Sequence, residues 1–152
     1  ITYQLGQYYN WALIGIENNG PGGVVLSSML NPKRGSGIQP YPNIYYYRRI
    51  DRDGEETEER GWPTRVNTRR KMIIDLQVAI NRDELVVNSL ASLKELRGFS
   101  FDEKTKQYIA TYKDPITRRR QDDCVISLAI ALQMVLAAEE GGFFRSPIEG
   151  DA

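Results

Sequence analysis

The chain has 152 residues, 20 Lys+Arg against 20 Asp+Glu, no histidine and one cysteine. That length suffices for one domain with a sizeable core, and zero net charge leaves any nucleic-acid reading to local patches. The absence of histidine excludes Ser-His-Asp and Cys-His catalysis, His-ligated zinc and imidazole acid–base chemistry. A lone Cys124 excludes an internal disulfide and suits a reducing compartment. No apolar run reaches membrane-spanning length, and no basic segment opens a signal peptide. Ile1 follows no methionine and residues 3–11 read as the middle of a helix, so a fragment or trimmed chain is expected.

In chain order, residues 2–11 read as the end of an amphipathic helix whose Tyr8, Tyr9 and Trp11 serve packing. Residues 12–16 read as a buried strand that runs into Glu17, Asn18 and Asn19. A Gly20-Pro21-Gly22 turn then opens a short helix over residues 24–30. Residues 31–43 form a loop rich in Pro and Gly, with Lys33 and Arg34. Residues 44–50 have strong β propensity. Residues 51–55 carry a turn signal, which makes 48–62 a polar hairpin or mobile loop with a solvated acidic run, Glu55, Glu56, Glu58 and Glu59.

Residues 67–81 read as a helix with Met72, Ile73, Leu76, Ala79 and Ile80 on one face, capped by Asn67 or Thr68. Its first turn carries Arg69, Arg70 and Lys71, which oppose the helix dipole and so point to an anionic partner. After a short apolar stretch at 85–87, residues 89–96 read as a helix stopped by Gly98. Residues 99–102 and 107–112 pair as a hairpin. Residues 113–121 form a loop with Arg118, Arg119 and Arg120. Residues 122–136, apolar nearly all round, read as a buried helix opening on Asp122 and Asp123, and residues 141–152 as a tail. No repeat and no second domain are read.

Two acidic signals carry chemistry. Glu17 leaves the C-terminal end of a buried strand, the end at which open α/β sheets build sites, and a charge there needs a partner. Asp122 and Asp123 open a buried helix. Alone, the aspartates read as caps that offset the dipole, and Glu17 as a partner for an arginine. Together, with no histidine present, they suit a hard oxygen-ligated cation such as Mg²⁺ or Mn²⁺. Two such ions about 4 Å apart would clamp a phosphodiester. The basic clusters Lys33/Arg34, Arg48/Arg49, Arg65 with Arg69, Arg70 and Lys71, and Arg118 to Arg120 read singly as solvated surface. Together, on segments adjoining the candidate acids, they read as phosphate contacts. Gly20-Pro21-Gly22-Gly23 is neither a Walker A loop nor a dinucleotide fingerprint.

Three stretches carry a family likeness: Tyr8-Tyr9-Asn10 with Ala12, Ile14, Ile16-Glu17-Asn18-Asn19-Gly20; residues 64–71 leading into Met72-Ile73; and Asp122-Asp123 with Val125, Ser127 and residues 128–131. They resemble the C-terminal nuclease domain of the large terminase subunit of tailed bacteriophages, over most of residues 1–136. The resemblance implies an α/β, RNase H-like domain over residues 1–140, with a mixed central β-sheet flanked by helices and 141–152 as a C-terminal tail. It implies an endodeoxyribonuclease using two Mg²⁺ or Mn²⁺ ions to cut concatemeric double-stranded DNA in the host cytoplasm. The partners implied are double-stranded DNA, the small terminase subunit, the portal protein and an ATPase domain of the same polypeptide, with no membrane.

By that likeness Glu17 is the second-strand carboxylate and Asp123 the late-helix carboxylate, with Asp122 as neighbour and helper. Which of the two aspartates ligates directly stays open. Arg69, Arg70, Lys71, Arg118, Arg119 and Arg120 are expected on the DNA backbone, and the hairpin near 52–60 is expected to steer DNA or touch the ATPase domain. The family carries its first catalytic aspartate on a first strand upstream of the helix leading to Glu17, whereas no aspartate precedes Asp51 here. The first strands and the ATPase half are therefore expected to be absent, the metal site partial and cleavage by this chain alone poor. A sheet edge left open would invite pairing with another chain. The alternatives are a non-catalytic docking domain of the packaging motor, or another RNase H-like nuclease such as a junction resolvase or transposase.

Overall fold

A computed structural model describes residues 1–50 and 53–139. They form five α-helices and two separate two-stranded antiparallel sheets, a mixed α/β protein. Among the described residues the chain divides into two compact units, Ile1–Thr64 with residues 134–139, and Arg65–Gln133.

The first unit holds α1 (Thr2–Tyr8), an extended segment at 12–18, α2 (Pro21–Leu30), and the hairpin β1 (Tyr46–Ile50) with β2 (Glu56–Arg60). Pro21 at the first helical position, after Gly20 at φ +53°, explains why α2 starts there. The extended segment alternates. Its even residues Ile14 and Ile16 pack with Leu26, Met29, Tyr41 and Ile44 in the core of this unit, joined by Tyr3, Trp11 and Tyr46. Its odd residues face the other way, where a Cβ on Gly15 would run into Met134 of α5 (Asp123–Glu139).

The even residues also make the segment's backbone bonds. Ile14 donates to Asn43 at 2.9 Å and accepts from Tyr45 at 3.0 Å, Ile16 accepts from Trp62 at 2.7 Å, and Asn18 donates to Trp62 at 2.9 Å. Among the described residues the N–H and C=O groups of Leu13, Gly15 and Glu17 have no backbone partner.

The second unit holds α3 (Val66–Asn81), α4 (Leu90–Arg97), the hairpin β3 (Phe99–Asp102) with β4 (Gln107–Ala110), and α5 up to Gln133. Met72, Ile73, Leu76 and Ala79 recur on the buried face of α3 as the 3.6-residue period requires. Ser89 caps α4 by accepting the Ser92 N–H at 3.3 Å. Gly98 follows α4 as its C-cap, and a Cβ there would collide with Tyr112, so only glycine fits this close approach.

Two expectations need revision. Among the described residues no single central sheet is assigned. Residues 12–18 make only isolated parallel bridges, because one edge of that segment is bonded and the other is not, and each hairpin pairs with itself. Helix α5 is not buried all round. Val125, Ile126, Ala129, Ile130 and Met134 are buried, while Val135 is 53 % exposed, so its apolar surface exceeds what its neighbours cover. Residues 85–87 join no regular element. The turn at Asp51 and Arg52 and the tail at 141–152 lie outside the described residues. No helix among the described residues is long and apolar enough to cross a membrane.

Candidate metal centre

Glu17 stands in the first unit, in a short parallel bridge with Trp62. Its backbone is held from both sides, since Ile16 and Asn18 are the residues bonded to Trp62. The next residue extends the clamp, because Asn19 Nδ2 donates to the Thr64 carbonyl at 2.8 Å. Helix α2 closes on the strand end through Gly22, where a Cβ would meet the Glu17 carbonyl oxygen. The Gly-Pro-Gly turn thus serves a close approach of helix to strand. The half-buried Glu17 carboxylate has no side-chain partner among the described residues.

Bridge partners project their side chains to the same face of a sheet, so Glu17 and Trp62 are neighbours on that face. The Trp62 ring is 3 % exposed and lies 6.0 Å from the Tyr45 ring and 5.4 Å from the Tyr47 ring. Its Nε1 and the Thr64 Oγ1 are buried with no hydrogen-bond partner. Most buried polar groups are paired, so two unpaired ones beside a free carboxylate mark a polar locality that the core does not satisfy.

The second unit holds Asp122 and Asp123, and it separates them. Asp122 occupies the cap position of α5, its carbonyl accepting from Ile126 at 2.8 Å, but its carboxylate accepts from Arg69 Nη2 at 2.6 Å. The capping role expected of the aspartates falls instead to Glu95 of α4, a residue 5 % exposed whose Oε2 accepts the Cys124 N–H at 2.8 Å. Burial first, then the hydrogen bond to Glu95 and its charge, raises the Cys124 thiol pKa above the ordinary 9.0. Asp123 is exposed, and its carboxylate has no hydrogen-bond or ion-pair partner among the described residues.

The cations divide in the same way. Arg69 is taken by Asp122, and Lys71 pairs with Asp75 at 2.7 Å and reaches the buried Gln133 at 3.3 Å. The helix-start misfit read from Arg69, Arg70 and Lys71 is thus partly resolved inside the unit. Arg70, Arg118, Arg119 and Arg120 are exposed, and their guanidinium groups have no ion-pair partner among the described residues. The loop carrying the last three is ordered by Asp114, whose carboxylate accepts from Thr117 N at 2.6 Å and Ile116 N at 3.0 Å. The backbone N–H of Thr117, its largest influence, holds the Asp114 carboxyl below the ordinary range.

Glu17 in the first unit and Asp123 in the second each present an uncommitted carboxylate, the donor type that hard cations take. Among the described residues no three Asp, Glu, Cys or His side chains gather into a cage. An ion held by one or two carboxylates would complete its shell with water and phosphate oxygens, the usual habit of Mg²⁺. Sequence reasoning missed Trp62, Glu95, Asp75 and Gln133. The one available signal was a Trp set between Gly61 and Pro63 just before the motif at 64–71.

A cleft of about 490 Å³ also opens in the second unit, lined by Ile73, Leu76, Ile80, Leu96, Phe99 and Phe101 among others. It contains none of the candidate acids. Comparison with protein-family models, with characterised proteins and with solved structures finds no match.

Proposed function

We propose that this chain is the RNase H-like nuclease portion of a viral genome-packaging terminase large subunit, one domain over residues 1–140. It would cut concatemeric double-stranded DNA with two Mg²⁺ or Mn²⁺ ions. The observation that supports this most is the division of labour among the three candidate acids. Arg69 neutralises Asp122. The other two, Glu17 and Asp123, have no side-chain partner among the described residues, and they are the pair that the family likeness assigns to metal. On this reading Asp123 would be the direct ligand, and Asp122 would help by anchoring the start of α5. When bound, divalent ions supply a lowered water pKa and positive charge at the phosphate. Glu17 and Asp123 would hold them, and Arg70 with Arg118, Arg119 and Arg120 would hold the DNA backbone without base readout. The small terminase subunit, the portal protein and an ATPase domain of the same polypeptide are the partners this reading carries, in the host cytoplasm.

The test is Mn²⁺ binding and plasmid nicking by wild type, Glu17→Ala, Asp123→Ala and Asp122→Ala. The first two variants are expected to lose Mn²⁺ binding and the weak nicking expected of the wild type, and the third to keep both. Binding and nicking undiminished in both Glu17→Ala and Asp123→Ala overturn the proposal. A non-catalytic docking domain is the second reading. The observation that favours it is the apolar cleft, with Leu93 40 % and Phe101 43 % exposed at its walls. A junction resolvase or transposase keeps the acids and changes the substrate, so preference for branched over linear duplex DNA selects it.

A further inference from the structure

The indole nitrogen of Trp62 is one of two buried polar atoms, with Thr64 Oγ1, that have no hydrogen-bond partner among the described residues and that the proposed chemistry leaves unused. Its ring is held between Tyr45 and Tyr47, and its Nε1–H is buried with nothing to donate to. An indole nitrogen can only donate. The acid beside it on the same sheet face, Glu17, can only accept when ionised and has no side-chain partner of its own. Neighbouring strands lie roughly 5 Å apart, within reach of a glutamate side chain. The backbone between them is fixed, with Trp62 bonded to Ile16 at 2.7 Å and to Asn18 at 2.9 Å on either side of Glu17. Each group lacks what the other supplies, and burial keeps bulk water from supplying it to the indole.

We infer that Trp62 is a positioning residue for Glu17. Its Nε1–H donates to one oxygen of the Glu17 carboxylate and leaves the other oxygen for a divalent cation. The half-buried Glu17 side chain, bonded to nothing among the described residues, turns to make this bond when the cation arrives. Carboxylates that ligate metals are commonly oriented in this way by a donor behind them. The inference rests on the reading of Glu17 as a cation ligand. It adds the group that fixes the carboxylate's angle and gives that reading a signal independent of DNA cleavage.

The experiment is a titration of the ¹⁵N-labelled chain with Mg²⁺ alone, following the indole N–H signals. The chain has two tryptophans, so Trp11→Phe assigns the signal of Trp62. The Trp62 signal is expected to move downfield and saturate, the Trp11 signal to stay still, and Glu17→Gln to abolish the change. In parallel, Trp62→Phe keeps the ring and removes the donor, and calorimetry is expected to show Mn²⁺ binding weakened about 10-fold. Should Trp62→Phe fail to fold, the wild-type titration decides alone. Glu17-dependent cation binding with an unmoved Trp62 signal overturns the positioning role and leaves the metal reading intact. Absence of any Glu17-dependent binding overturns the metal reading and this inference with it.

Discussion

Arg69 on α3 donates to the Asp122 carboxylate at 2.6 Å, and this hydrogen bond gives two adjacent aspartates opposite fates. Asp122 is committed inside its unit, and Asp123 is uncommitted. Asp122→Ala is therefore expected to be a stability variant. It strands a guanidinium that is only 33 % exposed, and a loss of about 1 kcal/mol by urea denaturation is expected. Asp123→Ala is expected to change stability by less than about 1 kcal/mol, the size of one charge on a helix dipole. A larger loss from Asp123→Ala than from Asp122→Ala would reverse these assignments.

Glu95 supplies the acceptor that α5 needs at its start, so Glu95→Ala leaves the Cys124 N–H buried and unpaired. A cost of about 1–3 kcal/mol is expected, with Glu95→Gln milder because an acceptor remains. The same hydrogen bond has a pH signature. The Cys124 thiol keeps its proton above the ordinary 9.0, chiefly through burial and then through Glu95. A pKa raised by folding stabilises the folded state below the unfolded value and loses that contribution as pH rises through the folded one. Stability should thus decline as pH climbs past about 9, and Cys124→Ala should remove that first limb. A later decline, starting above 10.0, is expected from Tyr41, whose phenol burial holds protonated. Denaturation midpoints between pH 8 and 11, in about half-unit steps, read both limbs.

Gly22→Ala tests the approach of α2 to the strand end. The added methyl meets the Glu17 carbonyl oxygen, a backbone atom, so helix or strand must move. Overpacking of this kind typically costs about 1–3 kcal/mol. Cation binding at Glu17 should weaken along with stability, whereas Gly23→Ala, whose methyl comes 3.3 Å from the Asn18 carbonyl oxygen, a tight fit that a shift of a few tenths of an ångström relieves, should be milder. Thermal melts with a parallel Mn²⁺ titration distinguish the two.

Arg118, Arg119 and Arg120 should act on DNA in proportion to charge. The slope of log affinity against log salt becomes shallower by about 0.9 for every phosphate the protein ceases to neutralise. Replacing all three with Ala should flatten that slope without altering sequence preference, while Arg69→Ala should lower stability instead. Asp114→Ala should weaken DNA binding indirectly, since Asp114 orders the loop that presents them. Because folding lowers the Asp114 pKa, that order is present above the unfolded value and is lost as pH falls through the folded one. Fluorescence anisotropy on linear duplex across a salt series measures the slopes.

Elements with a clean period were legible in the chain. Helix α3, with its apolar residues at 72, 73, 76 and 79, and the hairpin β3–β4 across residues 103–106 form where their patterns indicate. The extent of α1 was overstated because Tyr8, Tyr9 and Trp11 look like one helical face. In fact Asn10 and Trp11 both take φ of +56°, turning the chain into the extended segment. What sequence could not show is partnership across long separations. Arg69 with Asp122, Gln133 with Asp75, and Glu95 with the start of α5 join residues 29 to 58 positions apart, and nothing local announces them. Glu95 reads as an ordinary polar position on a short helix, and only packing makes it a buried cap. The Glu17 reading rested on a strand delivering a charge, and that local logic needs only its neighbours.

The peptide groups of Leu13, Gly15 and Glu17 have a further implication. Their N–H groups lack the backbone acceptors that hold the N–H groups of Ile14 and Asn18, so the main chain around Glu17 is pinned at alternate residues only. The amides of Leu13, Gly15 and Glu17 should therefore exchange their hydrogens with solvent sooner than those of Ile14 and Asn18.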